Sequence, residues 1–396
     1  MKKFFLVLAA MMLIAGGYLF AGSHSPASAA GKTGKTYSGT AYIAGQGGHY
    51  AVVKFTINPA DTANPITVQH LSRIVIGTWK DHSVHDPRID VANRNIMMFS
   101  TYTLDPKGDF HSGKINLKTG KVMFDKTVKP DKLAKVTGAG YCASGQTKDY
   151  YLPVTMTDQG YIDVRSKKTW KLVRRVFPDS LGMKDHNYVF MHGTNTPDMK
   201  DFVVVNNMGN PANRKPNDYS ELNGDVTFNL VKMDPLVKSG KLVVIAHNVL
   251  HGDPGNTITF RQSFTPNGKY LLQSAGDRMW VLNTKDLTVY DQKMMGAADL
   301  KDLSPAVYPV TVSSVADGQM HDAIGTPDSK YALITVRVPL RNGNKPVTDG
   351  VVQLYDIQNR KFVGRPVSVC SACHFKYGKN MIFSAALCGI DVNWKK

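Results

Sequence analysis

The sequence predicts an all-β fold: a β-propeller of six or seven blades, seven favoured, closed by strands from both termini. Three observations predict it. The stretch Gln319–Val369 reads as four short strands joined by turns of recognisable chemistry. Worn copies of that stretch recur along most of the chain, and a four-stranded repeat of about 50 residues is one propeller blade. The acidic residues are almost all Asp, with Glu221 the single glutamate, and 34 Gly and 20 Pro favour turns over helix interiors.

In the best copy, Met320-His321-Asp322 opens the first strand and Gly325-Thr326-Pro327-Asp328-Ser329-Lys330 turns the chain. The apolar run Tyr331–Val338 is the second strand and Gly350–Ile357 the third. After the polar turn Gln358-Asn359-Arg360-Lys361, Phe362–Val369 is the fourth. Phe264-Thr265-Pro266-Asn267-Gly268-Lys269-Tyr270 and Thr196-Pro197-Asp198 repeat the first turn. Ile115–Val122, Ile162–Leu172 and Val281–Lys285 repeat the polar hairpin. Five fuller blades are expected to start near His85, Cys142, His192, Arg261 and His321. Strands at Thr40–Gln46, His49–Ile57 and Ile66–Ile76, with about two more in Phe375–Trp394, read as incomplete blades that complete one another. No single repeat can bury both faces of its sheet, so neighbours must stack around an axis. The segment Asn206–Asn256 is longer than a blade needs. Its polar stretch Gly209–Gly224 and the run His247–Asn256 read as loops, and His247, His251 and Asp253 as a metal clip or partner-contact patch.

The pattern His–Gly/Asp, a short apolar run, then Ser/Thr-Pro-Asp-Gly-Lys resembles the YVTN and cytochrome-d1-like propeller repeats, over roughly residues 40–396. The resemblance implies the propeller fold. It leaves function open, because propellers host unrelated chemistries. It also implies that the recurrent histidine can serve simply to hydrogen-bond backbone between blades.

Met1-Lys2-Lys3, the apolar run Phe4–Phe20 and Ala27-Ser28-Ala29 read as a secretory signal over residues 1–29, which places the remaining single propeller domain, 30–396, in the periplasm or outside the cell. No later stretch is long and apolar enough to span a bilayer as a helix. The net charge of +17, lower by two once Lys2 and Lys3 leave, suits an acidic redox partner or partner subunit, or an anionic cell surface. Lys and Arg are dispersed rather than striped, which argues against nucleic acid.

The sharpest chemical motif is Cys370-Ser371-Ala372-Cys373-His374, the attachment pattern of c-type haem. Two thiols at that spacing can form thioethers to the vinyl groups while His374 ligates iron. One covalent haem c and a role in electron transfer, as carrier or as subunit of a redox complex, follow from it. The same thiols could instead form a disulfide, or pair with Cys142 and Cys388, or bind another metal. Laid without gaps on the best blade, Cys370 falls where His321 stands. A second constellation is His85, His192 and His321, each at the start of an innermost strand and therefore expected to converge on the central channel. Such imidazoles could hold a channel metal or a non-covalent haem. That makes an oxidoreductase the second functional reading; a cofactor-free scaffold propeller with disulfides is the third. No G-x-S-x-G elbow, P-loop or carboxylate pair supports hydrolysis or nucleotide chemistry.

Overall fold

The structure, a computed structural model, describes residues 34–132, 140–156, 160–183, 187–209, 222–294, 319–337, 339–341, 350–370, 375–377, 381–383 and 387–395. The expected signal segment lies outside the described residues. From Gly34 to Lys396 the chain forms one compact unit.

Six four-stranded antiparallel sheets make the blades of a propeller. Blade two comprises Val84–Ile89, Ile96–Thr101, Phe110–Asn116 and Lys121–Val128, from the axis outward. Blade three comprises Tyr141–Gln146, Tyr150–Thr155, Ile162–Ser166 and Leu172–Val176. Blade four comprises Tyr188–Asn195, Asp201–Gly209, Leu222–Lys232 and Val244–His251. Blade five comprises Gln262–Phe264, Tyr270–Ser274, Arg278–Asn283 and Val289–Met294. Blade six comprises Gln319–Gly325, Tyr331–Arg337, Gly350–Asp356 and Lys361–Cys370. Blade one joins both ends of the chain: Leu387–Trp394 is its innermost strand, and Tyr37–Gly45, His49–Ile57 and Ile66–Val75 lie outside it. The five expected blade starts and the closure by both termini are therefore present.

The blade count is six rather than the favoured seven. Terminal material that looked sufficient for two blades divides otherwise: Leu387–Trp394 completes blade one, while Phe375–Tyr377 and Met381–Phe383 join Pro339–Arg341 in a small three-stranded sheet. The long segment around Asn206–Asn256 is absorbed into blade four, which has longer strands and a short helix, Met233–Ser239, between its third and fourth. His247 and His251 accordingly sit on a strand and not on a loop. They are paired opposite Asn229 and Asp225, on a strand whose alternate residues Ala246 and Leu250 pack against the core.

The turn chemistry explains the repeat. In Thr196-Pro197-Asp198, Thr265-Pro266-Asn267 and Thr326-Pro327-Asp328, the Thr hydroxyl donates to the Asp or Asn side chain two residues on, at 2.7, 2.8 and 3.0 Å. The same hydroxyl accepts from the backbone N–H of Asp201, Tyr270 and Tyr331, at 3.1, 3.0 and 3.1 Å. The next residue takes the left-handed conformation, φ 60° at Met199, 70° at Gly268 and 62° at Ser329. One side chain thus closes both ends of a five-residue loop that the Pro pre-bends.

Burial falls outward along each blade. The innermost strand Tyr141–Gln146 is buried throughout, whereas Lys121–Val128 and Val244–His251 are mostly exposed. The core is divided among the seams between blades. Tyr42, Ile74, Val84 and Met97 fill the seam of blades one and two, and Leu152, Val164, Met191 and Phe202 that of three and four. Ile43, Leu333, Leu354, Ile390 and Val392 seal six against one. In blade two, Gly113 lies where a Cβ would come within 2.1 Å of the Phe124 carbonyl oxygen and 2.7 Å of the Phe99 ring. Gly113→Ala is expected to lower the unfolding free energy by about 1–3 kcal/mol, read from the urea midpoint, since backbone cannot yield as a side chain can.

Candidate metal centre at the propeller axis

The six innermost strands touch in a ring, each contacting the next. Each contributes one residue to the ring, His85, Cys142, His192, Arg261, His321 and Cys388, with Arg261 just ahead of its strand and His192 past the middle of its own. All six are at most 1% exposed. The pairing registers slip beside four of them, between Val84 and Asp86, Tyr141 and Ala143, Val189 and His192, and Met320 and Asp322. A β-bulge frees a residue from the strict alternation of a strand and re-aims its side chain. These bulges fall at His85, Cys142 and His321 and just before His192, four of the six ring residues, and interrupt the strand's alternation there.

Three of them form a coordination-like group. His85, His321 and Cys388 each offer a ligand atom, and these atoms lie within 4.8 Å of one another. The His85 and His321 rings meet edge to face at 5.0 Å between centroids. His85 is also stacked on Tyr102 and His321 on Phe260, both at 4.5 Å. His85 Nδ1 faces the Cys142 carbonyl at 3.2 Å. A backbone carbonyl behind one ring nitrogen sets the tautomer that presents the other as a donor, the usual arrangement behind a metal-bound imidazole.

His192 takes a different part. Its Nδ1 lies 2.6 Å from the Phe190 carbonyl and its Nε2 2.8 Å from Cys142 Sγ. Burial, reinforced by the Arg261 charge, pulls its pKa down to about 3, so the ring is neutral at ordinary pH. The neutral ring donates from Nδ1 to the carbonyl and accepts at Nε2. It supports the Cys142 side of the ring. Of the three histidines expected to converge, two meet at the axis and the third is paired with cysteine.

Arg261 crosses the axis and ties the ring together. Its Nε donates to Asp322 at 3.0 Å, and its two terminal nitrogens donate to Asp86 and to the Cys142 carbonyl. Asp86 further accepts from the Tyr151 hydroxyl at 2.9 Å, and Asp322 from the Ile390 amide at 2.9 Å. Burial opposes ionisation of Asp86, but the Arg261 and Arg88 cations outweigh it and hold the carboxyl below its ordinary value. At Asp322 burial prevails and the carboxyl is raised. Gly389 makes room for the guanidinium: a Cβ there would meet the Arg261 Cζ at 2.6 Å and Pro87 at 2.5 Å.

The other expected site residues lie elsewhere. Cys370 ends the outermost strand of blade six, its backbone paired with Gly350. Residues 371–374, hence Cys373 and His374, lie outside the described residues. The place that the gapless alignment assigned to Cys370, opposite His321 in the next blade, belongs to Cys388. His247 Nδ1 faces Asn229 at 2.9 Å, His251 faces Asp225 at 2.7 Å, and Asp253 pairs with Arg278 at 2.6 Å, so these three have separate partners and do not converge as a clip. Sequence reasoning missed Cys388 as a member of the donor group and Arg261, Asp86 and Asp322 as its neighbours. The His-Asp pairs His85-Asp86 and His321-Asp322 carried the available signal: a buried acid beside each ring histidine calls for a buried cation.

No protein-family model matches the chain, and no curated protein is similar to it. Among solved structures it is similar to Kuenenia stuttgartiensis hydrazine synthase, at a TM-score of 0.42 and 11% identity, over 70% of this chain and 64% of that one. The chain thus spans less than two thirds of that protein's length. Among the described residues, no helix is long and apolar enough to cross a membrane.

Proposed function

We propose that the protein is an exported redox protein, an electron carrier or the electron-transfer subunit of an oxidoreductase, with a transition-metal ion held at the propeller axis by His85, His321 and Cys388. The observation that carries this reading is the convergence of three buried donor atoms within 4.8 Å. Two imidazoles and one thiolate suit copper, and next zinc, and do not suit a hard cation such as magnesium or calcium. When bound, a copper ion at such a donor set would supply one-electron chemistry. The surrounding residues decide what kind. The Tyr102 and Phe260 rings stacked on the two histidines occupy the ring faces that a macrocycle would need, and burial of all three donors keeps substrate away, which favours electron transfer over substrate turnover.

The test is metal content and visible absorption after expression in copper-replete medium. About one copper per chain with a thiolate-to-copper charge-transfer band is expected. Cys388→Ser should abolish the band, and His321→Ala should drop copper below a tenth of that, both with wild-type circular dichroism. Stoichiometric copper retained in both variants would place the metal elsewhere.

A second redox centre is supported by Cys370-Ser371-Ala372-Cys373-His374. One covalent haem c there would be ligated by His374, and the basic surface would meet an acidic partner. A pyridine haemochrome spectrum and intact mass, with Cys373→Ala as control, decide it: a host competent in cytochrome c maturation that yields haem-free protein removes this reading and leaves the axial one standing.

A further inference from the structure

We infer that blade two carries a second, peripheral metal site, in which His82, His111 and Asp125 bind a borderline divalent ion of the zinc type. The ligand atoms of these residues lie within 4.8 Å of one another. They come from three elements: the turn leading into the innermost strand, the third strand and the fourth. His111 pairs opposite Thr127 and Gly113 opposite Asp125, so His111 and Asp125 are diagonal neighbours on one face of the sheet. The turn delivers His82 over that face. It is closed by the Thr78 carbonyl accepting from the His82 amide at 2.7 Å and by Asp81 accepting from the Thr78 amide at 2.7 Å.

The geometry is that of a ligand set with its backing in place. His82 Nε2 and His111 Nδ1 both point at the same Asp125 oxygen, at 2.7 and 2.8 Å, and the two rings lie 4.0 Å apart. The outward nitrogen of each ring has a carboxylate of its own. Asp105 hydrogen-bonds to His111 Nε2 at 3.3 Å, and Asp81 stands 3.3 Å from His82 Nδ1 as a charge contact. A carboxylate behind each coordinating imidazole is the arrangement that orients metal-bound histidines and raises their basicity. Three acids surround the two histidines, and both inward nitrogens converge on one Asp125 oxygen. Gly77 permits the approach, since a Cβ there would meet His82 Nδ1 at 2.5 Å. The His111 side chain is only 11% exposed, whereas Asp125 is 28% exposed, so the group opens to solvent on the carboxylate side. Two imidazoles and one carboxylate with an open side match a catalytic-type zinc site, which keeps a position for water or an external ligand. This inference is independent of the axial centre.

The experiment is calorimetric titration of the metal-stripped full chain with Zn²⁺, in the Cys388→Ser background so that the axial group does not contribute. Retention of about one site, weakened at least about 100-fold by Asp125→Asn and by His111→Ala, is expected. His82→Ala, which removes a residue from a turn and leaves the strands intact, guards against a folding artefact and should weaken binding as much. Co²⁺ in place of Zn²⁺ should give ligand-field bands that the same substitutions remove. No measurable site in the Cys388→Ser chain, or a site indifferent to Asp125→Asn and His82→Ala, would overturn the inference.

Discussion

Arg261→Met is expected to destabilise the protein by about 3–5 kcal/mol at neutral pH, the usual cost of leaving buried charge without its partner. The guanidinium is 1% exposed and lies between Asp86 and Asp322, both nearly inaccessible. Its removal leaves Asp322 without its ion pair and Asp86 with only the more distant Arg88, at 3.9 Å, and takes a donor from the Cys142 carbonyl. The loss should depend on pH in a definite sense. In the wild type the depressed Asp86 contributes stability that is present above the ordinary carboxylate pKa and disappears as pH falls through its folded value. The raised Asp322 works the other way, costing stability as pH climbs above its unfolded value. Without Arg261 both carboxyls are pushed up by burial, and protonation relieves both. The deficit relative to wild type should therefore be largest near pH 7.5 and shrink toward pH 4.5, measured by urea denaturation at each pH. Arg261→Lys keeps a charge but loses the planar fork that reaches three acceptors, and should fall between the two. A deficit that is constant across that range would mean that the carboxylates are neutral in the wild type and would sink the electrostatic account of the ring.

Truncation of the chain after residue 386 should have a still larger effect: no cooperative unfolding transition and loss of protein to the insoluble fraction. Among the described residues, Leu387–Trp394 is the strand through which blade one meets the innermost strand of blade six. It brings Leu387, Ile390 and Val392 into the core, each worth about 1.5–3 kcal/mol of burial. It also gives the Ile390 amide to Asp322, and its Asp391 accepts from the Ile89 amide at 2.8 Å. Loss of the strand leaves Tyr37–Gly45 as an unpaired buried edge, a template for aggregation. The summed loss rivals the whole stability of an ordinary domain, about 5–15 kcal/mol. Addition of a peptide of residues 387–396 should restore a transition. A truncated chain that melts as a monomer at the wild-type temperature would show that the seam is dispensable.

The blades were legible because their signal is local. A Thr-Pro-Asp turn that closes itself with one hydroxyl reads the same in any blade, and an alternating strand reads as a strand. The count was less legible, because it depends on where Phe375–Trp394 goes, and a strand that pairs with one more than three hundred residues away leaves no local trace. The same fact hid Cys388. Its blade has no Thr-Pro-Asp turn after it and its neighbouring strands stand at the other end of the chain, so the conspicuous Cys370 attracted the assignment that topology gives to Cys388. Arg261 was visible as a blade start and invisible as a bridge, since an arginine in a strand reads as surface until its acceptors are located. His247 and His251 misled in the opposite sense: the nearby Asp253-Pro254-Gly255 turn made a strand end look like a loop.

The seam through blade one also orders events in time. His85 and His321 belong to blades two and six, and the third member of the group, Cys388, lies in the strand that closes the ring. A growing chain therefore holds isolated imidazoles and no axial site until its last strand is home. On the axial site proposed above, the completed circle and the completed donor set are one event, so bound metal would report that the protein has finished folding.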